Sequence, residues 1–222
     1  MSQQTEKIAV NFCQNLRIQS DAMHHAVLDR RAEEWIEDTM TVSGIPLRHL
    51  ERQYFIGEQW CERLTALKEK LGTGLMVALV GGRGTGKTQM AVELMRHTIR
   101  RMSRRAVFTT AAKFIMRVKS SFGKDSTKTE GDVFQDFTKP KLLVIDEFGR
   151  RNETDWEHNA IFELLNDRYN AMNDTVLISN HDAAAFREAA GPSLISRMNE
   201  CGGICDFAWP SFRDGENQTT KQ

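Results

Sequence analysis

Residues 75–88 read LMVALVGGRGTGKT, and this stretch decides the fold. Its six consecutive apolar residues predict a strand that is buried on both faces. The glycine-rich run that follows fits the pattern GxxxxGK[ST], and an amphipathic helical pattern over residues 87–102 comes directly after it. In that strand–loop–helix context the pattern binds phosphate, because glycines let backbone N–H groups converge on an anion at a helix N-terminus.

The loop therefore predicts a nucleoside-triphosphate site, and two of its side chains carry chemistry. Lys87 supplies a mobile cation for the β- and γ-phosphates, and the Thr88 hydroxyl can bind Mg²⁺. The alternative is a chance match or an inactive remnant, which the flanking strand and helix disfavour. The predicted nucleotide-binding residues are Gly81, Gly82, Arg83, Gly84, Thr85, Gly86, Lys87 and Thr88.

A second motif, KLLVIDE at residues 141–147, is an apolar strand that ends in two carboxylates. At the carboxyl edge of a parallel sheet, Asp146 can hold the magnesium ion and Glu147 can polarise a water that attacks the γ-phosphate. A further strand at residues 106–109 separates the two motifs in the chain. Together these features favour an ATPase of the additional-strand class over a small-metabolite phosphotransferase.

The remaining pattern predicts an α/β fold with a parallel five-stranded sheet between helices. Short apolar runs alternate with helical stretches, which indicates a sheet covered on both faces. The predicted strands are 75–80, 106–109, 142–145, 176–179 and 204–207, and the predicted helices are 6–40, 58–71, 87–102, 111–121, 156–172 and 182–190. Residues 43–46 are interpreted as a linker and residues 123–131 as an exposed loop.

Composition limits the functional classes. The chain has 222 residues, with 30 basic and 30 acidic side chains, which excludes a uniformly basic DNA-coating protein. No apolar run reaches the roughly 18 residues of a membrane helix, and no secretory signal pattern is present, so we expect a cytoplasmic protein. Its cysteines, which we expect to be reduced and not to bind zinc, are Cys13, Cys61, Cys201 and Cys205.

The chain resembles the DnaC/IstB-like AAA+ ATPases, the bacterial and phage helicase loaders and transposition helpers. The resemblance covers residues 43–213 and rests on five stretches in order: SGIPLRHL (43–50), LVGGRGTGKT (79–88), VFTTAAKFIMRVKSSF (107–122), LLVIDEFG (142–149) and the tail from VLISNHD through LISRM to FAWPSFR (176–213). It implies an AAA+ ATPase domain over residues 51–213, a helical partner-binding segment and linker over residues 1–50, and a flexible tail over residues 214–222.

The resemblance also implies roles for three residues near the end of the domain. Asn180 matches the polar residue that positions the attacking water, although asparagine is also a common turn former. Arg197 matches the arginine finger that reaches the ATP of a neighbouring subunit, although it could be a surface arginine. Arg213 matches a second phosphate-sensing arginine, and we expect no C-terminal lid domain after it. Arg168 is interpreted as structural or as a subunit contact.

Residues 83–128 carry twelve basic side chains and two acidic ones, a net charge of +10. Such a segment in a neutral protein indicates contact with a polyanion, although a solvated face is the alternative. By the resemblance this region contacts single-stranded DNA, and Phe122 either stacks on a base or packs in the core. The predicted DNA-binding residues are Lys113, Arg117, Lys119 and Phe122.

These features predict an ATP- and Mg²⁺-dependent helicase loader that forms a homo-oligomer. By the resemblance, residues 1–50 would bind a DnaB-type replicative helicase, although the helix could instead pack on its own ATPase domain. A transposition helper that binds duplex DNA and a transposase, and a non-enzymatic nucleotide-gated adaptor, remain the alternatives.

Overall fold

A computed structural model describes residues 30–50, 57–123, 125–149 and 154–212. The chain divides into two compact units, Met1–Thr41 and Val42–Gln222. Residues 30–42 are helical and form α1, whereas residues 6–29 of the helix predicted from the sequence lie outside the described ranges. No helix in the described ranges has the length and apolar character needed to cross a membrane.

The second unit is built on a five-stranded sheet in the order β2-β3-β4-β1-β5, and every neighbouring pair of strands is parallel. Its strands are β1 Met76–Val80, β2 Ala106–Thr110, β3 Leu142–Asp146, β4 Asp174–Ile178 and β5 Gly202–Asp206. Its helices are α2 Leu47–Leu50, α3 Glu58–Lys70, α4 Lys87–Met102, α5 Ala111–Ser120, α6 Glu130–Thr138, α7 Asp155–Asn170 and α8 Ala183–Cys201. The α/β prediction and the five-stranded parallel sheet are confirmed.

Strand β4 enters the sheet between β1 and β3, so the strand that precedes the phosphate loop and the strand that ends in Asp146 are not neighbours. This is the arrangement that the additional-strand class requires. All five residues of β1 and the first four residues of β3 are buried, which explains why both strands read as continuous apolar runs. The first residue of β4 then anchors β1: the Asp174 carboxylate accepts hydrogen bonds from the backbone N–H groups of Gly72 at 2.6 Å, Gly74 at 3.1 Å and Leu75 at 2.9 Å.

Besides the short helix α2, two helical segments are absent from the helices predicted from the sequence. Helix α6 begins at Glu130, inside the polar stretch that the sequence analysis interprets as a loop, because Thr129 and Asp132 form a capping box that starts it. Helix α8 continues to Cys201 rather than ending at residue 190. Gly191, with φ of 70°, makes a kink at which a second helical segment starts with Pro192.

Residues 43–50, expected to be a linker and the end of the N-terminal segment, pack within the second unit. The backbone N–H of Phe108 in β2 donates to the Ser43 carbonyl at 2.7 Å, and Ser43 and Ile45 are buried. The Arg96 guanidinium donates to the carbonyls of His49, at 3.0 Å, and Leu50. The compact unit that contains the sheet begins at Val42 and so includes these residues.

Candidate functional site

The predicted nucleotide residues meet at the carboxyl edge of the sheet. Gly81 follows the last residue of β1, and Asp146 is the last residue of β3. With β4 between them, the axes of these two strands are roughly 10 Å apart. Thr88, on the helix that follows the phosphate loop, reaches across to the end of β3. Its hydroxyl donates a 3.3 Å hydrogen bond to Asp146 Oδ2. The structure thus brings the two predicted metal-binding residues together.

The phosphate loop takes backbone conformations that its glycines permit. Gly86 caps α4 with φ of 87°, and Gly81 has φ of 125°. A Cβ at Gly81 would lie 2.8 Å from the Phe207 carbonyl oxygen, so a side chain there would collide with the backbone that follows β5. The Lys87 ammonium is buried and donates to the carbonyls of Gly81 at 2.8 Å and Gly82 at 2.6 Å.

Three contacts that the sequence analysis missed hold this loop from outside. The indole N–H of Trp60 on α3 donates to the Gly86 carbonyl at 3.2 Å, and that of Trp209 donates to the Thr85 carbonyl at 3.0 Å. The backbone N–H of Phe212 donates to the Gly84 carbonyl at 2.9 Å. The segments before β1 and after β5 therefore both attach to the phosphate loop. No local motif signals this, because the partners are distant in the chain.

The acidic end of β3 combines burial with an unusual backbone. Burial raises the pKa of the Asp146 carboxyl, and the negative charge of Glu147 acts in the same direction. Glu147 has φ of 61°, a left-handed conformation that costs a non-glycine residue about 1–2 kcal/mol, and its backbone N–H donates to Asp146 Oδ1 at 2.7 Å. Backbone strain of this kind concentrates at functional sites, where the surrounding structure maintains it.

The donor set suits magnesium. A hydroxyl and a carboxylate oxygen are hard ligands, and Mg²⁺ typically takes only one or two protein oxygens while phosphates and waters supply the rest. Among the described residues, no three histidine, cysteine, aspartate or glutamate side chains cluster as a metal site. The Thr88–Asp146 pair therefore fits an ion that arrives with a nucleotide.

Asn180 lies at the same edge, immediately after β4 and its flanking Ser179. It is exposed, and β4 places it between the strands that end at the phosphate loop and at Asp146. The next residue links the two motifs: the His181 carbonyl accepts from Gly81 N–H at 2.8 Å, and His181 Nε2 lies 2.8 Å from the Gly149 carbonyl. Asn180 therefore lies at the strand edge where β1 and β3 end, and its role in positioning the attacking water stays a prediction.

Arg197 lies toward the amino ends of the strands, whereas the phosphate loop lies at their carboxyl ends. It is in the last turns of α8, and the strand after that helix begins at Gly202, which pairs with the first residue of β1. A five-residue strand spans roughly 13 Å, so Arg197 is remote from the phosphate loop of its own chain. Its guanidinium carbon lies 5.4 Å from the centre of the Tyr169 ring. Arg213 lies outside the described residues.

A sequence profile described as IstB-like ATP binding protein matches residues 69–195. The chain belongs to the IstB-like ATP-binding family. A replicative helicase loader DnaC from Buchnera aphidicola subsp. Acyrthosiphon pisum (strain APS) is 28% identical over 134 residues, which are 60% of this chain and 54% of that protein. The corresponding protein of Escherichia coli (strain K12) is 25% identical over the same shares of the two chains.

Among solved structures, one described as the DnaC helicase loader superposes on this IstB-like chain with a TM-score of 0.59. The identity is 18%, and the match covers 70% of this chain and 92% of that one. This likeness shows a shared AAA+ fold, as the sequence resemblance predicts. The chain spans about half the length of the curated relatives it matches.

Arg168 of the IstB-like chain is a core residue. Its side chain has no exposed surface, and it donates to the hydroxyl of Thr175 at 2.9 Å. It also donates to four backbone carbonyls, which lie at the end of α6, just before β3 and at the start of β4. The acceptors are Phe137 at 2.7 Å, Thr138 at 3.1 Å, Pro140 at 2.9 Å and Asp174. Burial lowers the pKa of Arg168 to about 9, which leaves it charged at neutral pH. Of the two interpretations of Arg168, the structural one applies.

The predicted DNA-binding residues share one exposed surface. Lys113, Arg117 and Lys119 lie on the exposed arc of α5, whose opposite side is buried in the core. Arg117 and Lys119 are at the two margins of that arc: the Arg117 guanidinium carbon is 5.5 Å from the Phe137 ring centre, and Lys119 Nζ is 5.7 Å from the Trp156 ring centre. Phe122 is 56% exposed, so the alternative that it packs in the core is wrong.

Proposed function

We propose that this protein is an ATPase that loads a DnaB-type replicative helicase onto single-stranded DNA. The observation that carries the proposal is the pairing of Thr88 with Asp146, 3.3 Å apart, beside a glycine-rich phosphate loop and a strained Glu147. The relatives named as replicative helicase loaders support the loading role.

In this proposal, different residues at the carboxyl edge bind the phosphates, hold the metal ion and position the attacking water. Loop N–H groups and Lys87 bind the phosphates, after the ammonium leaves the carbonyls of Gly81 and Gly82. Thr88 and Asp146 would hold Mg²⁺, which neutralises charge on the β- and γ-phosphates. Glu147 orients the attacking water, and Asn180 holds that water on the side of the γ-phosphate.

Arg197 is proposed to act in the site of a neighbouring subunit. An arginine can stabilise charge on a transferring phosphoryl group only by reaching it, and Arg197 lies roughly a strand's length from its own phosphate loop. Assembly of at least two copies would then complete each active site. Arg213, by contrast, follows Phe212, whose N–H binds the Gly84 carbonyl, so a role in the same subunit's site is proposed for it.

The helicase is proposed to bind the N-terminal unit, Met1–Thr41. Residues 1–40 carry seven acidic and four basic side chains. An amphipathic helix, which the sequence predicts over residues 6–40, can dock in a groove of a partner. Residues 214–222, which the sequence analysis predicts to be a flexible tail, lie outside the described residues.

The test is co-purification with the host's replicative helicase in the presence of ATP. Two proteins are compared: the full chain and a truncated chain beginning at Val42, the start of the second unit. We expect the full chain to retain the helicase and the truncated chain to lose it while still binding ATP. Failure of the full chain to retain the helicase, alongside intact ATP binding, would contradict the loading role.

The second candidate function is a transposition helper, which the family profile favours because its description names IstB. Such a protein would use the same nucleotide site but bind duplex DNA and a transposase. Competition between single-stranded and duplex DNA of the same sequence separates the candidates. ATP-dependent preference for the duplex, with no helicase retained, would favour the helper.

A further inference from the structure

Arg197 lies against a tyrosine of α7 rather than against a carboxylate. Its guanidinium carbon is 5.4 Å from the centre of the ring of Tyr169, near the C-terminal end of that helix. In the part of the chain that the structure describes, this guanidinium has no ion pair and donates no hydrogen bond. A cation–π contact with the ring face uses none of its N–H donors. Arg197 is therefore held in place with its donors available to an anion from outside the chain.

The glutamate that could pair with Arg197 is engaged by the same tyrosine. Glu200 follows Arg197 by three residues on α8, the spacing at which side chains on one face of a helix meet. The Tyr169 hydroxyl donates to Glu200 Oε2 at 2.6 Å. That hydrogen bond raises the pKa of the Tyr169 phenol, so the hydroxyl keeps its proton at neutral pH and continues to donate. One side chain thus contacts the arginine with its ring and the glutamate with its hydroxyl.

This arrangement prevents an ion pair that helix geometry would otherwise favour. An arginine and a glutamate three residues apart on a helix attract each other, and a guanidinium paired in this way has fewer donors for a phosphate. Glu200 is exposed, so without the tyrosine hydroxyl its side chain can rotate toward Arg197. Tyr169 is half-buried and packs against the core, which fixes where its ring and its hydroxyl lie.

We propose that Tyr169 is a positioning residue for Arg197: its ring holds the guanidinium ready for the nucleotide of a neighbouring subunit, and its hydroxyl keeps Glu200 from neutralising that charge. The inference rests on the proposed function in one respect, the action of Arg197 in the site of a second copy, and it adds roles for Tyr169 and Glu200. Neither residue touches the nucleotide. Both act only through the arginine of their own chain, so their effect belongs to the site of the other chain.

The two contacts of the tyrosine can be separated by substitution. Tyr169→Phe keeps the ring but releases Glu200, so we expect it to lower the rate of hydrolysis about twofold, the effect of one ion pair on a helix. Tyr169→Leu also removes the ring, and we expect a roughly fivefold loss from the missing cation–π contact. Adding Glu200→Gln should restore the rate of the phenylalanine variant, because the carboxylate that competes for Arg197 is gone. It should not restore the rate of the leucine variant.

The experiment measures phosphate release in mixtures of two full-length variants, so that each effect can be assigned to one side of the subunit contact. The acceptor chain carries Arg197→Ala and keeps its own nucleotide site. The donor chain carries Glu147→Gln, which removes its own hydrolysis, and keeps Arg197. With the donor in excess, release by the acceptor requires the arginine of a donor. The Tyr169 and Glu200 substitutions are placed first in the donor and then in the acceptor.

In the donor, the two losses and the selective rescue by Glu200→Gln are expected, whereas in the acceptor the same substitutions should leave the rate unchanged. Glu188→Gln is the matched control for the rescue, because Glu188 is also exposed on α8 but lies before the kink at Gly191. Equal losses from substitution in either chain would indicate a merely structural role and overturn the proposal. A Tyr169→Phe donor that is as active as the unaltered donor, or that Glu188→Gln rescues as well as Glu200→Gln does, would also overturn it.

Failure of the proposed function gives different results. If the donor with an unaltered tyrosine gives the acceptor no activity, Arg197 does not act in a neighbouring site, and the inference fails with that role. If the donor restores activity but substitutions of Tyr169 have no effect, only the inference fails. Failure of helicase loading appears separately, as a full chain that releases phosphate and does not retain the helicase.

Discussion

Replacing Arg168 by methionine tests whether one buried guanidinium joins three elements of the second unit. The substitution keeps an unbranched side chain of similar length but removes every donor. The Phe137, Pro140 and Asp174 carbonyls and the Thr175 hydroxyl lose their contacts with the guanidinium, whereas the Thr138 carbonyl still accepts from Asn173 at 2.9 Å.

The expected cost follows from these losses. A buried acceptor left without a donor costs about 1–3 kcal/mol, and several lose their donor here. The methionine also removes the desolvation cost of a buried charge, which offsets part of the loss. We therefore expect the free energy of unfolding to fall by about 3–5 kcal/mol, a large share of the roughly 5–15 kcal/mol typical of a domain.

The assay is urea unfolding followed by circular dichroism, with Arg187→Met as control. Arg187 lies exposed on α8, and its substitution should change stability by less than about 0.5 kcal/mol. A midpoint shift in Arg168→Met no larger than in the control, with an unchanged denaturant slope, would refute the reasoning.

The remaining predictions concern the site and the backbone around it. Lys87→Ala should abolish ATP binding measured by calorimetry, whereas Glu147→Gln should retain binding and lose at least about a hundredfold in the rate of phosphate release; equal loss of binding in both would contradict the assigned roles. Gly44→Ala should lower the unfolding midpoint more than Gly57→Ala, because both have positive φ but only the Cβ at Gly44 meets a carbonyl oxygen of β2, at 2.4 Å; equal midpoints would contradict this. Burial raises the pKa of the Asp174 carboxyl above 3.8, so the folded state keeps its proton to higher pH than the unfolded state. As pH rises from 3.8 through that raised value, the free energy of unfolding of the unaltered chain should therefore fall relative to that of Asp174→Asn. Urea unfolding over a pH series checks this, and a relative increase in the free energy of unfolding of the unaltered chain would contradict it.

Strands β1 and β3 were predictable because each is an apolar run with a chemically distinct residue at its end, whereas β5 begins at Gly202, two residues before its predicted start. The predicted start of β1 differs from the observed Met76 by one residue, and β3 differs only in including Asp146. Helix α6 was not predicted because the residues at its start are polar, as in a loop. The structure shows that Thr129 and Asp132 form a capping box, which starts the helix. The helix predicted over residues 182–190 omitted the second helical segment of α8, which starts with Pro192 after the kink at Gly191.

At the site, the sequence predicted the groups that are expected to contact phosphate and missed the groups that hold the loop in place. A sequence motif consists of residues that are close together in the chain. Trp209 and Thr85 are far apart in the chain, so no motif predicts the hydrogen bond between them. The left-handed backbone of Glu147 was also beyond prediction, because nothing in its side chain favours that conformation. Arg168 could be assigned to the core only once its acceptors were located.

The two indoles that hold the phosphate loop give the protein a built-in optical probe. Trp60 and Trp209 donate their N–H groups to loop carbonyls, so any rearrangement of the loop changes the environment of both fluorophores. Nucleotide arrival can therefore be timed from intrinsic emission, without a label. The chain has four tryptophans, and Trp156 lies in the first turn of α7 beside Phe122. A Trp156→Phe protein would therefore separate the emission change at the loop from any change at Trp156.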